Sequence, residues 1–468
     1  MHTSTTSTGR LDPWNSQALQ DATQGRWHPS APEGDIQRIV TDSRAAGIGD
    51  AFLALKGERF DAHDFVANVA KQGAKCVIVE REIAGIDIPQ LVVADGRLAL
   101  VALGQYRRQQ CQDLKVVALT GSSGKTTTKE MLASIFAQLG ETLVTRGNLN
   151  NDLGVPMMLL ELRQDHRYAV FELGANHQGE IDYTAKLVQP QVAGVINIGT
   201  AHLGEFGGRG GICRAKSEIY SHIQVNGVAI VPQQDDFTVQ LTDVAKHQPQ
   251  LKAILSFGKG GDVYAKNIQL NAQSSQFDLV TPQGEIQIDL PFAGLHNVHN
   301  AEAAASFALG LDIDLKAIQT GLKQATNAKG RLNFIQKNQY TLIDDTYNAN
   351  PNSMRAAADV LTQQQGLKVM VIGDIGELGD ESQREHFALG QALSSKPLDL
   401  IISVGEFAQD VKQGADAEHV HAFNNQADAL VFLQDWLNTQ PNQAISFLFK
   451  GSRYTHMENL LHALLESL

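Results

Sequence analysis

Residues 115–130 read KVVALTGSSGKTTTKE. Val116-Val117-Ala118-Leu119 is an apolar run of strand length. It ends in Thr120-Gly121-Ser122-Ser123-Gly124-Lys125-Thr126, and Met131, Leu132, Ile135, Phe136 and Leu139 then recur at helical spacing. A glycine-rich turn between a buried strand and a helix start aims backbone N–H groups at one point. The helix dipole adds partial positive charge there, and Lys125 adds a full one. Phosphate is the natural occupant, with the Thr126 hydroxyl placed to reach a magnesium ion. The spacing is G-x-x-G-K-T. The longer form G-x-x-x-x-G-K-[ST] would need glycine where Leu119 stands. Stripped of its strand and helix, the same string reads as a Gly/Ser turn with a solvated lysine.

The remainder of the chain limits what such a loop can serve. At 468 residues it is too long for one ordinary core, so two to four domains are expected. Net charge is −13 with no basic tract, which argues against nucleic acid or an anionic membrane as partner. A phosphorylated substrate must then be met by local basic pockets. Cys76, Cys111 and Cys213 are scattered without paired spacing, which suits a reducing cytoplasm rather than a disulfide framework or a zinc site. The N-terminus lacks an apolar signal core, and no apolar run is long enough to cross a membrane.

The pattern predicts an α/β protein in three domains. Residues 1–95 carry short strand-like runs at Ala51–Leu55, Cys76–Val79 and Leu91–Val93, followed by a helix from about Arg97 to Arg108. Residues 96–328 alternate strands (115–120, 168–174, 192–198) with helices, before a more polar strand-rich insert at about 253–292. Continuous apolar runs of this kind suit parallel strands covered on both faces. Residues 329–468 repeat the doubly wound, Rossmann-like pattern, with runs at 341–345, 368–373, 399–404 and 444–449.

Ligands of parallel sheets bind beyond the carboxyl ends of the strands, which singles out polar residues just after strand runs. Glu172 and His202 qualify as metal ligands beside a triphosphate, or else as a loop carboxylate and a turn histidine. Lys216, in a helical segment, reads locally as a solvated lysine paired with a glutamate. Asn297 and Asn300 open a helix, either as caps or as partners for a base edge. Asp344-Asp345-Thr346-Tyr347-Asn348-Ala349-Asn350-Pro351 gathers two acids and two amides at a strand end. Arg331 and the segment Lys450-Gly451-Ser452-Arg453 place cations beside glycines.

Taken in order, these pieces resemble the Mur ligases, ATP-dependent amide-forming enzymes of peptidoglycan assembly. The resemblance runs from about residue 40 to residue 453. It rests on Thr120–Thr127, Glu172, His202, Lys216, His296-Asn297 through Asn300, Gly330-Arg331 and Asp344–Pro351. Further segments are similar to the family member that adds a dipeptide: Thr41-Asp42-Ser43-Arg44, Gly147–Pro156, Glu172–His177, Gly373–Gly379 and Lys450–Arg453. Ala62, Gly208 and Cys213 depart from the usual residues at their positions. The Asp-Asn-Pro-Arg pattern of the sister enzyme that adds a free diamino acid is absent.

The resemblance implies a small N-terminal substrate domain, a central P-loop ATPase-like domain and a C-terminal Rossmann-like domain. It implies small-molecule substrates, UDP-N-acetylmuramoyl-tripeptide and D-alanyl-D-alanine, with ATP and magnesium, and a cytoplasmic monomer. The backbone N–H groups of Gly121, Ser122, Ser123, Gly124, Lys125, Thr126 and Thr127, with the Lys125 ammonium, would hold the β- and γ-phosphates. Thr126 and Glu172 would bind one magnesium, and His202 would help with a second. Lys216 would act as a carbamate, which turns an unsuitable ligand into an anionic one. Asn297 and Asn300 would lie near the adenine. Arg331 and Asp345 would reach the γ-phosphate and the ribose. Ser43, Arg44 and His63 would hold the UDP end, and Asn148, Asn150 and Asn151 the sugar or peptide. Asn348, Asn350, Lys450 and Arg453 would meet the dipeptide. Other readings remain open at this point: another amide ligase of the superfamily, such as folylpolyglutamate synthase, or a nucleotide-gated regulatory protein that hydrolyses ATP slowly.

Overall fold

The computed structural model describes residues 12–57, 60–200 and 203–468, with the side chains of residues 203 and 204 left aside. The chain forms two compact units. The first takes residues 1–118, 139–173 and 182–190, and the second takes 119–138, 174–181 and 191–468.

In the first unit, β1 (Arg26–His28), β2 (Ile39–Val40), β3 (Ala51–Leu53), β4 (Cys76–Val79) and β5 (Gln90–Val92) form a sheet in the order β1-β5-β4-β3-β2. All pairs are parallel except β1 with β5. The apolar runs are explained by burial on both faces. Phe52, Val77 and Val79 pack on one side, while Leu53, Cys76 and Ile78 pack on the other. Successive side chains of a strand alternate between faces, so only a strand covered twice needs a continuous apolar run. The helix Gly96–Gln110 starts on the side chain of Asp95, which accepts from Leu98 N–H.

β6 (Lys115–Thr120) begins in the first unit and ends in the second. β7 (Thr142–Val144) and β8 (Tyr168–Glu172) pair in parallel within the first unit. β9 (Val192–Val195), β10 (Gly227–Pro232) and β11 (Leu251–Phe257) run parallel within the second. The helix Lys125–Ala137 buries Met131, Leu132, Ile135 and Phe136 of the face read from spacing, while Leu139 lies past the helix end and is half-buried. The polar insert is an antiparallel meander of β12 (Tyr264–Leu270), β13 (Ser275–Thr281) and β14 (Gly284–Leu290).

The C-terminal sheet has the order β15-β16-β20-β17-β18-β19, from β15 (Asn333–Lys337), β16 (Tyr340–Asp345), β17 (Leu367–Gly373), β18 (Leu400–Val404), β19 (Val420–Phe423) and β20 (Ile445–Lys450). Only β15 is antiparallel to its neighbour. β20, last in sequence, is inserted beside β16 and β17. The strand ends Asp345, Gly373 and Lys450 therefore share one edge of the sheet. The α/β class and the mainly parallel sheets match expectation.

Candidate active site

The phosphate loop lies in the second unit. Gly124 is the N-cap of the helix Lys125–Ala137, with φ +78° and no side-chain cap. A Cβ there would stand 2.3 Å from Asn300 Oδ1, and one on Gly121 would stand 2.3 Å from Ile196 Cγ1. Both glycines are thus required by close approach, and Gly124 also by its left-handed backbone. Lys125 Nζ donates to the Gly121 carbonyl at 2.8 Å, so the ammonium folds back over the loop it serves.

A residue that sequence reasoning passed over shapes this loop. Asn197, at the carboxyl end of β9, accepts from the N–H groups of Ser122 and Ser123 at 3.0 and 2.9 Å. Its amide donates to the Ser123 carbonyl at 2.8 Å. The expectation that every amide from Gly121 to Thr127 faces phosphate is corrected by this clasp. The Ser122 and Ser123 N–H groups are committed to Asn197 Oδ1. The rule that polar residues at strand ends are candidates could have found Asn197. It sits inside the apolar run Val192–Ile198 and was hidden there.

Asn350 is the second surprise. Its Oδ1 accepts Ser353 N–H and caps the helix Pro351–Thr362, and its amide donates to Ser123 Oγ at 2.8 Å. Expected at the incoming dipeptide, it instead ties the helix Pro351–Thr362 to the phosphate loop. Asn297 and Asn300 are buried. Asn300 Nδ2 donates to Asn297 Oδ1 at 3.1 Å, and Asn297 Nδ2 donates to the Ala293 carbonyl at 2.8 Å. Arg331 lays its guanidinium over the Tyr347 ring at 4.5 Å. Asp345 is buried against Lys450. Lys450, expected as a cation for the dipeptide, has a fully buried Nζ committed to Asp345 and Asn348. Asn348 is exposed, and exposed Arg453 pairs with Glu458 at 2.7 Å. Lys216, in the helix Arg209–Ser217, is 2% exposed, which removes the solvated-surface reading. His202 lies outside the described residues.

The first unit carries the other candidates. Glu172 ends β8 and is buried. Its Oε1 accepts from Asn150 Nδ2 at 3.0 Å, and its N–H donates to Thr145 Oγ1. Asn150 thus orients a carboxylate, where a sugar or peptide contact was expected. Asn151 Oδ1 accepts Gly154 N–H at 2.9 Å, just ahead of the short helix Gly154–Leu159, and Asn148 is exposed. Arg44 is exposed and doubly bonded to Asp42, whose carboxyl it holds down at about 2, and Ser43 beside it is half-buried. His63 is corrected outright. Its side chain has no exposure, Nδ1 meets Asp61 Oδ1 at 2.5 Å, and Nε2 accepts Glu80 N–H at 2.9 Å. Both ring nitrogens are used inside the protein, so it is a structural residue.

Thr126 in the second unit and Glu172 in the first each offer an oxygen donor of a kind magnesium accepts. Among the described residues no group of three or more histidine, cysteine or acidic side chains forms a ready cage. Magnesium needs none, since it takes one or two carboxylates, a hydroxyl and phosphate oxygens and keeps several waters. A hydroxyl at Thr126 and a buried, amide-oriented carboxylate at Glu172 are donors of that kind.

A parallel-sheet protein with a P-loop clasped by a strand-end asparagine, followed by a second α/β sheet, defines a nucleotide-dependent enzyme. The Mur ligase middle domain matches residues 119–308, the Mur ligase glutamate ligase domain residues 330–453, and the Mur ligase family catalytic domain residues 35–101. The chain belongs to the Mur ligase family, and it is an ATP-dependent, amide-forming ligase. It is similar to the UDP-N-acetylmuramoyl-tripeptide–D-alanyl-D-alanine ligase of Escherichia coli (strain K12), at 42% identity over 92% of this chain and 94% of that one. It is also similar to the crystal structure of MurF from Acinetobacter baumannii (TM-score 0.94, 64% identity, 98% and 100% covered). MurF ligase from Thermotoga maritima in complex with ADP superposes with TM-score 0.79 at 28% identity, covering 92% and 97%. Among the described residues no helix is long and apolar enough to cross a membrane.

Proposed function

We propose that this chain joins D-alanyl-D-alanine to UDP-N-acetylmuramoyl-tripeptide, with ATP going to ADP and phosphate, in the bacterial cytoplasm. The observation that carries the reading is identity of 41–42% over 92% of the chain with two ligases of that name. Three buried free cysteines suit the compartment. Residues 1–95 would hold the UDP end, 96–328 the ATP, and 329–468 would complete the site.

The carboxylate of the tripeptide attacks the γ-phosphorus, ADP leaves, and an acyl phosphate forms. The dipeptide amine then attacks the acyl carbon, and the tetrahedral intermediate expels phosphate. Such transfer asks the protein for positioning and charge neutralisation rather than covalent help. Lys125 and the amides of the helix start hold the β- and γ-phosphates. Asn197 fixes the loop, and Asn350 ties the helix Pro351–Thr362 to it. Arg331 offers a stacked guanidinium to the transferred phosphoryl group. Thr126 and Glu172 would hold magnesium, joined by His202 and a carbamylated Lys216. The ion supplies neutralisation of phosphate charge when bound. Asn297 and Asn300 line the adenine side, while Ser43, Arg44, Asn348 and Arg453 remain candidates for the two substrates.

The test is phosphate release from ATP with the UDP-tripeptide, with D-alanyl-D-alanine added or left out. Release that needs both, with the matching pentapeptide mass, is expected. Release with neither points to a regulatory ATPase. No release, with ATP still bound, moves the search to other acid and amine pairs.

A further inference from the structure

Asp345 and Lys450 are register partners at the ends of β16 and β20. Lys450 Nζ donates to Asp345 Oδ2 at 2.6 Å and to the Asn348 carbonyl at 3.0 Å. The other oxygen, Asp345 Oδ1, accepts the N–H of Leu332 at 3.2 Å. Leu332 is buried with φ +49°, a left-handed conformation that a leucine adopts only when something holds it there. One residue earlier, Arg331 stacks on Tyr347, and its Nε is buried with no hydrogen-bond partner among the described residues. The same ring's residue closes the turn, since Tyr347 N–H donates to the Gly330 carbonyl at 3.1 Å. A buried guanidinium donor left open is costly, and an anion is its natural partner.

We propose that Lys450 is a positioning residue: through Asp345 it holds the Gly330–Leu332 turn, so that the Arg331 guanidinium is fixed for an anionic phosphoryl group. The inference rests on the reading of Arg331 given above. A buried carboxylate without a counter-ion takes up a proton or moves away. Either change weakens the acceptor that keeps Leu332 in its turn. Burial lowers the pKa of Lys450, and the neighbouring Asp345 carboxylate offsets part of that fall. Lys450 itself meets no substrate.

The test is a double-mutant cycle on steady-state ligation, run on proteins confirmed folded by circular dichroism. Lys450→Met is expected to lower kcat/KM for ATP about tenfold or more, as misplaced groups do, with the KM for the dipeptide unchanged. Arg331→Ala should cost at least as much. In the Arg331→Ala background, Lys450→Met should cost nothing further. Multiplying losses, or a raised dipeptide KM, would mean that Lys450 acts on substrate directly and would sink the positioning link alone. Near-normal kcat in Arg331→Ala would remove the role of Arg331 and the proposal with it. If Lys450→Met does not fold, Asp345→Glu keeps the ion pair but displaces the carboxylate from Leu332, and the same coupling with Arg331 is expected.

Discussion

Gly124→Ala isolates what the phosphate loop demands of its backbone. Two costs can be worked from the structure. Gly124 sits at φ +78°, ψ −4°, where a Cβ costs about 1–2 kcal/mol. That Cβ would also stand 2.3 Å from Asn300 Oδ1 and 3.1 Å from its Cγ. Asn300 cannot swing away freely, because its amide is bonded to Asn297 Oδ1 at 3.1 Å in a buried setting. Breaking that bond costs about 1–3 kcal/mol. The sum is about 3 kcal/mol, divided between lost stability and lost nucleotide affinity. If the loop gives way rather than Asn300, the helix-start amides are re-aimed and ADP binding falls up to about 100-fold. Calorimetric ADP titration and thermal unfolding together capture both shares. Asn300→Ala removes the collision, so in that background Gly124→Ala should cost only the backbone share, measured against Asn300→Ala alone. Wild-type affinity and melting temperature in Gly124→Ala would refute the reasoning. So would costs that simply add in the double variant, since no collision would then couple the two sites.

Three further outcomes are expected. Burial pushes the His166 pKa down to about 4, so the folded chain binds fewer protons than the unfolded one between pH 4 and 6.5. The stability is whole above 6.5 and is lost as pH falls, by about 2 kcal/mol from pH 7 to pH 5. Denaturant melts at the two pH values should show this drop, smaller in His166→Asn. His63→Ala should destabilise the fold by about 2–4 kcal/mol through a cavity and an orphaned Glu80 N–H, read by urea unfolding. A raised substrate KM at unchanged stability would restore His63 as a ligand. Lys216→Ala should abolish ligation with the fold intact, and a short added carboxylate should restore part of it; near-normal activity in Lys216→Ala would end the carbamate idea.

Chain-local physics made much of the fold legible. Apolar runs such as Cys76–Val79 and 444–449 proved to be strands buried on both faces, the second observed at Ile445–Lys450. A run without alternation leaves a strand no solvent side. The helix of the phosphate loop and its buried face followed from 3.6-residue spacing. Lys216 could not be placed this way. Its neighbours in sequence read as a surface helix, and its burial is set by elements far along the chain.

The sequence by itself determined the strand–loop–helix at Thr120–Ala137, because glycine, lysine and apolar period all act within one turn of chain. It also determined which residue types would do chemistry. Tertiary structure decided which of them meet. Asn197 reaches the phosphate loop from 75 residues away, Asn350 from 227, and Lys450 crosses 105 residues to Asp345. Those pairings follow from strand order and register, with β20 inserted between β16 and β17. Local propensity carries no record of such order, because sheet partners are chosen by the packing of whole faces rather than by the residues at their ends.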